Sequence, residues 1–142
     1  MNNSGQPTVV VGIDGSAPSR AALRWAVGYT RPTGTRVTAV AVWQAQLQFG
    51  PVPVFPGPEF EREAREWLDQ ALAELADTPD VVAEVGQGDP ARVLIELARD
   101  AELLVLGNCG RGAVAAALLG SVAQRCAQHA RCPVVLVPAS GD

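Results

Sequence analysis

Between Leu106 and Val122 glycine recurs at Gly107, Gly110, Gly112 and Gly120, and Ser121 supplies a hydroxyl directly after the last of them. Glycine tolerates positive φ and lets a ligand come close to the main chain, so a cluster just past a strand can offer several N–H groups to an anion. Leu103 to Leu106 is such a strand, an apolar run of the kind a parallel sheet buries on both faces. Gly120-Ser121 opens a further helical pattern, whose free amides and dipole would favour phosphate. The same residues could equally form a turn with no ligand, and the order strand, loop, helix leaves both readings open. A second candidate is Asp14, which closes the β-rich run Thr8 to Ile13 and starts the turn Asp14-Gly15-Ser16.

Composition narrows the chemistry. The 11 basic residues are all arginines, so a phosphate loop that depends on lysine is excluded, as is Schiff-base catalysis. Amides, hydroxyls, arginine or a metal must do the work. A net charge of −4 lacks the footprint of a nucleic-acid binder. No apolar run approaches the roughly 20 residues that span a bilayer, and the first residues lack a basic region followed by an apolar core. The expectation is a soluble, non-exported, cytoplasmic domain that touches no membrane. Cys109, Cys126 and Cys132 are an odd number, which in that compartment argues for reduced thiols.

The elements that must position these residues alternate along the chain. After a polar lead-in at 1–7, expected to be disordered, comes the first strand. A helix from Ala17 to Tyr29 follows, with Ser16 as N-cap, Pro18 in its first turn, and Ala22, Trp25, Ala26 and Tyr29 on one face. Thr35 to Trp43 reads as a second strand, and Gln44 to Gly57 as a proline-rich surface loop. An amphipathic helix starts near Pro58, its core stripe formed by Phe60, Ala64, Trp67, Leu68, Ala71, Leu72 and Leu75. Val81 to Val85 is a third strand. Asp89 and Pro90 then cap and open a helix that buries Leu94, Leu97, Ala98 and Ala101. The last helix carries Val122, Cys126 and His129 until Cys132-Pro133 stops it, and Val134 to Val137 is a fifth strand. The expected domain covers 8–138, with a short tail at 139–142.

This alternation predicts an α/β fold: a five-stranded parallel sheet with helices on both faces. In strand order 3-2-1-4-5 the first and fourth strands are central neighbours, which sets Asp14 beside Gly107 at the crevice where such sheets bind ligands. Gly12-Ile-Asp-Gly15 has the wrong spacing for a dinucleotide fingerprint.

Gly107-x2-Gly110-x9-Gly120-Ser121 resembles the ATP-binding signature of the universal stress protein family. Val9-Val-Val-Gly-Ile-Asp-Gly-Ser16 with Ala22-Leu-Arg-Trp-Ala26 resembles the family's opening strand and helix, and Cys132-Pro-Val-Val-Leu-Val137 its closing strand. The likeness covers roughly Val9 to Val137. It implies a Rossmann-like fold and ATP as the ligand, in the form carrying Mg²⁺ or Mn²⁺ bound chiefly by phosphates and water. It implies binding roles at Gly12 and Asp14, with Asp14 near the ribose or adenine. Val42 would touch adenine through its backbone, while its side chain is also natural sheet core. Gly107, Asn108, Gly110, Arg111 and Gly112 would wrap the phosphates, Arg111 adding the loop's own cation. Ser121 and Val122 would complete the cradle, with N-capping the alternative role of Ser121. The resemblance further implies a homodimer through the last strand and a nucleotide-responsive regulator in stress or dormancy.

Three functions stay open at this stage: a regulator, a slow ATPase or autophosphorylating enzyme using Asp14 and a metal, and a member that no longer binds nucleotide. His129, the one histidine, lies at the far end of the last helix, so turnover is expected to be slow at most. Cys109 in the loop raises a redox alternative. Cys126-x2-His129-x2-Cys132 raises a metal alternative, though that spacing spreads the three around a helix.

Overall fold

The computed structural model describes residues 7–44, 58–76, 80–110 and 119–139. The lead-in at 1–6, the proline-rich segment at 45–57, and Arg111 and Gly112 lie outside the described residues. Nine elements follow one another: β1 (Thr8–Ile13), α1 (Ala17–Thr30), β2 (Arg36–Trp43), α2 (Pro58–Ala73), β3 (Val81–Gln87), α3 (Pro90–Leu97), β4 (Leu103–Gly107), α4 (Ser121–His129) and β5 (Val134–Val137). Every strand pairing is parallel, as the alternation predicts, and the sheet order is β3-β2-β1-β4-β5, the order expected above.

Alternate residues of β1 feed two separate cores. Val9, Val11 and Ile13 face α1 and α2 and pack with Leu23, Ala26, Ala64 and Leu68. Val10 faces the other way, into a cluster with Val40, Val42, Leu94, Leu104, Leu106 and Cys126 under α3 and α4. Leu23, Leu68 and Leu104 are fully buried, and truncating any one of them to alanine would cost about 2–5 kcal/mol. With both faces covered, β1 and β4 read as continuous apolar runs.

Several boundaries and faces differ from the sequence expectation. β3 extends to Gln87 because the ladder with β2 continues through Val42 opposite Gly86 and Trp43 opposite Gln87. Trp25 and Tyr29 are exposed and stack on each other, with ring centroids 5.1 Å apart, while Ala22 and Ala26 carry the buried face of α1. Leu97 is likewise exposed, so Leu94 and Ala98 anchor α3. α4 ends at His129, and Ala130 is already extended. The residues between Ala130 and Pro133 make the turn that brings Val134 level with Leu104. Among the described residues, no helix is long and apolar enough to cross a membrane.

Candidate functional site

A cleft of about 430 Å³ opens over the carboxyl ends of the central strands, a volume typical of small-molecule sites, which span roughly 300–1,000 Å³. Its apolar wall comes from Val40 and Val42 on β2, Leu94 on α3 and Leu106 on β4. Gly12 forms floor between Leu106 and Leu94. Asp14, Gly107, Cys109 and Gly110 line it beside the central strand ends, and Gly120, Ser121, Val122 and Ala123 at the start of α4.

The turn after β1 is fixed by its own side chains. Asp14 Oδ1 accepts from the Ser16 amide at 3.0 Å and from the Ser16 hydroxyl. Ser16 Oγ in turn accepts from the Ser19 amide, which caps α1, and the Asp14 amide donates to Ser19 Oγ. Gly15 takes φ +86°, a backbone region that side chains rarely adopt, and its carbonyl accepts from Arg20 Nη1 at 3.0 Å. Arg20 is paired at 2.9 Å with Glu74, which also holds Arg24. Asp14 therefore divides its carboxylate. Oδ1 builds the turn, and Oδ2 faces Gly110 so closely that a Cβ on that glycine would stand 2.5 Å away.

Gly107, Gly110 and Gly120 serve close approach and do not use positive φ. Among the described glycines, only Gly15, Gly34 and Gly88 have positive φ. A Cβ at Gly107 would meet Pro18 Cβ at 2.6 Å and the Ser19 amide nitrogen at 2.9 Å, so this glycine lets the first turn of α1 press against β4. One at Gly120 would lie 3.2 Å from Cys109 Cα and 3.3 Å from the Gly110 nitrogen, which brings the α4 entry against the loop. Two amides there are already spent: Asn108 N–H donates to Val137 O, and Gly120 N–H donates to Asn108 O. Asn108 is thus a strut, off the described wall of the cleft, and its Oδ1 is buried without a hydrogen-bond partner.

α4 begins differently from α1 and α3. Asp89 caps α3 by accepting from the Arg92 amide, and the same carboxylate grips Arg125 of α4 at 2.8 Å and 3.0 Å. That arginine is the main reason the Asp89 carboxyl lies below its usual pKa. The N-cap of α4 is Gly120 and not Ser121, and it provides no side-chain acceptor. The first N–H groups of a helix have no intrahelical partner, so the amides of Ser121, Val122 and Ala123 stand at the cleft with the positive end of the dipole behind them. An aliphatic slot and a helix start on one cleft suit a ligand with a flat apolar part and an anionic part.

Cys109 lines the cleft, while the other two thiols and the imidazole lie apart from it. Burial pushes the Cys126 thiol up to about 11, its Sγ lying 4.0 Å from the Ala91 carbonyl, and burial also raises Cys132. His129 is exposed at the opposite end of α4 from Ser121. Among the described residues no group of three or more His, Cys, Asp or Glu is placed to hold a metal ion. Sequence reasoning placed Trp67 in the core stripe of α2. The structure sets it on the cleft wall, along with Ser19, Pro90, Leu94 and Leu106. Its position in the stripe carried no signal of this, because reaching the cleft depends on how α2 crosses the sheet.

The fold and the position of its cleft define a doubly wound α/β domain of the Rossmann-like class. The model of the universal stress protein family matches residues 7–138, and the chain belongs to that family. A universal stress protein of Mycobacterium bovis is 36% identical over 141 residues, a match covering 93% of this chain and 48% of the relative. One of Mycolicibacterium smegmatis is 37% identical over 135 residues, covering 91% and 45%. The chain thus spans about half the length of these curated relatives. Among solved structures, a universal stress protein in complex with cAMP is 30% identical with a TM-score of 0.62, covering 96% of this chain and all of that one. A family member from Burkholderia pseudomallei is 28% identical, TM-score 0.69, covering 97% and 100%.

Proposed function

We propose that this chain binds an adenine nucleotide in the cleft and works as a nucleotide-responsive regulator in a stress or dormancy response. The observation that carries the proposal is the convergence of an uncapped helix start and an aliphatic slot on one cleft, in a family with a 30%-identical member solved with cAMP. The base would lie between Val42 and Leu94, and the phosphates would take the amides of Ser121, Val122 and Ala123 in place of the missing cap. Gly107, Gly110 and Gly120 support this by bringing the loop, α1 and α4 together. Arg111 and Gly112 would add contacts from the loop.

ATP is the ligand we favour, with Mg²⁺ or Mn²⁺ bound chiefly by its phosphates and by water. His129 stands at the far end of α4, so we infer binding with slow turnover at most. The site of action would be the cytoplasm. β5 is an edge strand of four half-buried residues, and pairing with a second copy would satisfy its free side, giving a homodimer. Titration calorimetry with ATP and Mg²⁺ tests the binding: saturable heat at one nucleotide per chain is expected, and a flat titration overturns it. Sedimentation equilibrium at micromolar concentration tests the dimer, and a monomer there would count against it.

A further inference from the structure

Trp67 is the residue of the cleft that the family signature leaves without a role. It projects from the middle of α2, is half-buried, and lines the cleft. The pyrrole edge of its indole lies against Gly15, where a Cβ would stand 2.7 Å from both Cδ1 and Nε1. It is the only aromatic among the described residues of the wall. The other two tryptophans are elsewhere: Trp43 stacks on Phe60, and Trp25 on Tyr29.

The order of chemistry along the cleft gives this placement a meaning. The aliphatic slot between β2 and α3 would take a base, and the amides of α4 a phosphate. Between those parts of any nucleotide lies its sugar. Asp14 follows β1, which lies between β2 and β4 in the sheet, and Trp67 lies against the adjoining Gly15, so both line the cleft between the β2 wall of the slot and the loop that leads to α4. A sugar presents both hydroxyls and an apolar C–H face, which match a carboxylate oxygen that can accept donors and an amphipathic ring beside it.

We propose that Trp67 packs against the sugar of the bound nucleotide beside Asp14, making it a ligand-contacting residue of the site. This rests on the nucleotide reading above, and it makes α2 part of the site. Because Glu74, just past the end of α2, pairs with the arginine that holds the Gly15 carbonyl, the sugar-binding turn is gripped by that helix segment at two points.

The test uses the full chain carrying Trp25→Phe and Trp43→Phe, so that Trp67 is its sole tryptophan. AMP should change its emission along the same binding curve that calorimetry gives, while inorganic pyrophosphate, which has no sugar, should leave it unmoved. In the otherwise native chain, Trp67→Ala should weaken AMP about five- to tenfold and leave pyrophosphate affinity unchanged. Trp67→Phe should restore most of the loss, with thermal melts reporting that each variant is folded. Heat from AMP with Trp67 emission unmoved overturns the role of Trp67 and leaves the nucleotide reading standing, as does emission that pyrophosphate moves equally. Absence of heat from both AMP and ATP in the native chain overturns both.

Discussion

α1 and α4 start beside neighbouring strand ends, on either side of one cleft, and they treat their free amides in opposite ways. At α1 the chain supplies its own acceptors: Ser16 caps the helix, Asp14 holds Ser16, and Ser19 holds Asp14. At α4 the N-cap is a glycine that makes no side-chain cap, and the first three residues of the helix line the cleft. A helix start without a side-chain cap costs about 1 kcal/mol at most residues and a few tenths where the N-cap is glycine. Here that cost stands where an anion would relieve it. One helix start is closed by its own side chains, and the other is the one at which we propose that a ligand binds.

Four substitutions sharpen or break this contrast. The largest effect is expected at Gly107, where any side chain runs into the backbone of Pro18 and Ser19. Gly107→Val should cost about 3 kcal/mol of unfolding free energy, measured by urea denaturation, because backbone cannot step aside as a side-chain end can. Next is Gly120→Asp, which gives α4 the cap that α1 has. Nucleotide affinity should fall about 100-fold, close to 2.7 kcal/mol, because a carboxylate would take the same amides. Stability should change by only a few tenths of a kcal/mol, since Gly and Asp differ little as caps and the neighbouring Cys109 and Gly110 backbone needs to yield only slightly.

Ser16→Ala does the reverse at α1, and should lower stability by about 1 kcal/mol with less than a tenfold change in affinity. The smallest effect is at Asp89, whose exposed pairing with Arg125 clips α3 to α4. Asp89→Asn retains a capping side chain and removes the ion pair. The Asp89 carboxyl titrates below its unfolded value, so the pair stabilises the fold above about pH 4 and is lost as pH falls through the folded pKa. The gap between native and Asp89→Asn melting curves should therefore be full at pH 6 and close below pH 4.

What the sequence made legible follows the range of the interactions involved. Ser16, Asp89 and Pro90 act within one helical turn, and their roles read directly from spacing. A parallel sheet followed from the alternating elements, and the order 3-2-1-4-5 was expected without being fixed by them. The residues misread are those set by packing over distance. Trp25, Tyr29 and Leu97 sit at helical spacing that fits a buried face, yet each helix had more apolar surface than its neighbours could cover. Trp67 belonged to a correct core stripe but lies where α2 passes the cleft. The loop glycines were read as allowing positive φ and a ligand's close approach, or else as a plain turn. At 107, 110 and 120 they serve contacts with Pro18, Asp14 and Cys109 that no local pattern encodes.

The central claim is that the open start of α4, together with the aliphatic slot across the cleft, holds an adenine nucleotide. The most direct measurement is a calorimetric titration of ATP into the native chain and into Gly120→Asp, with melting curves recorded on the same samples. Saturable one-to-one heat is expected from the native chain and none from the variant at the same concentrations, with both proteins melting within a few degrees of each other. Equal heat from the two folded proteins, or none from the native one, would contradict it.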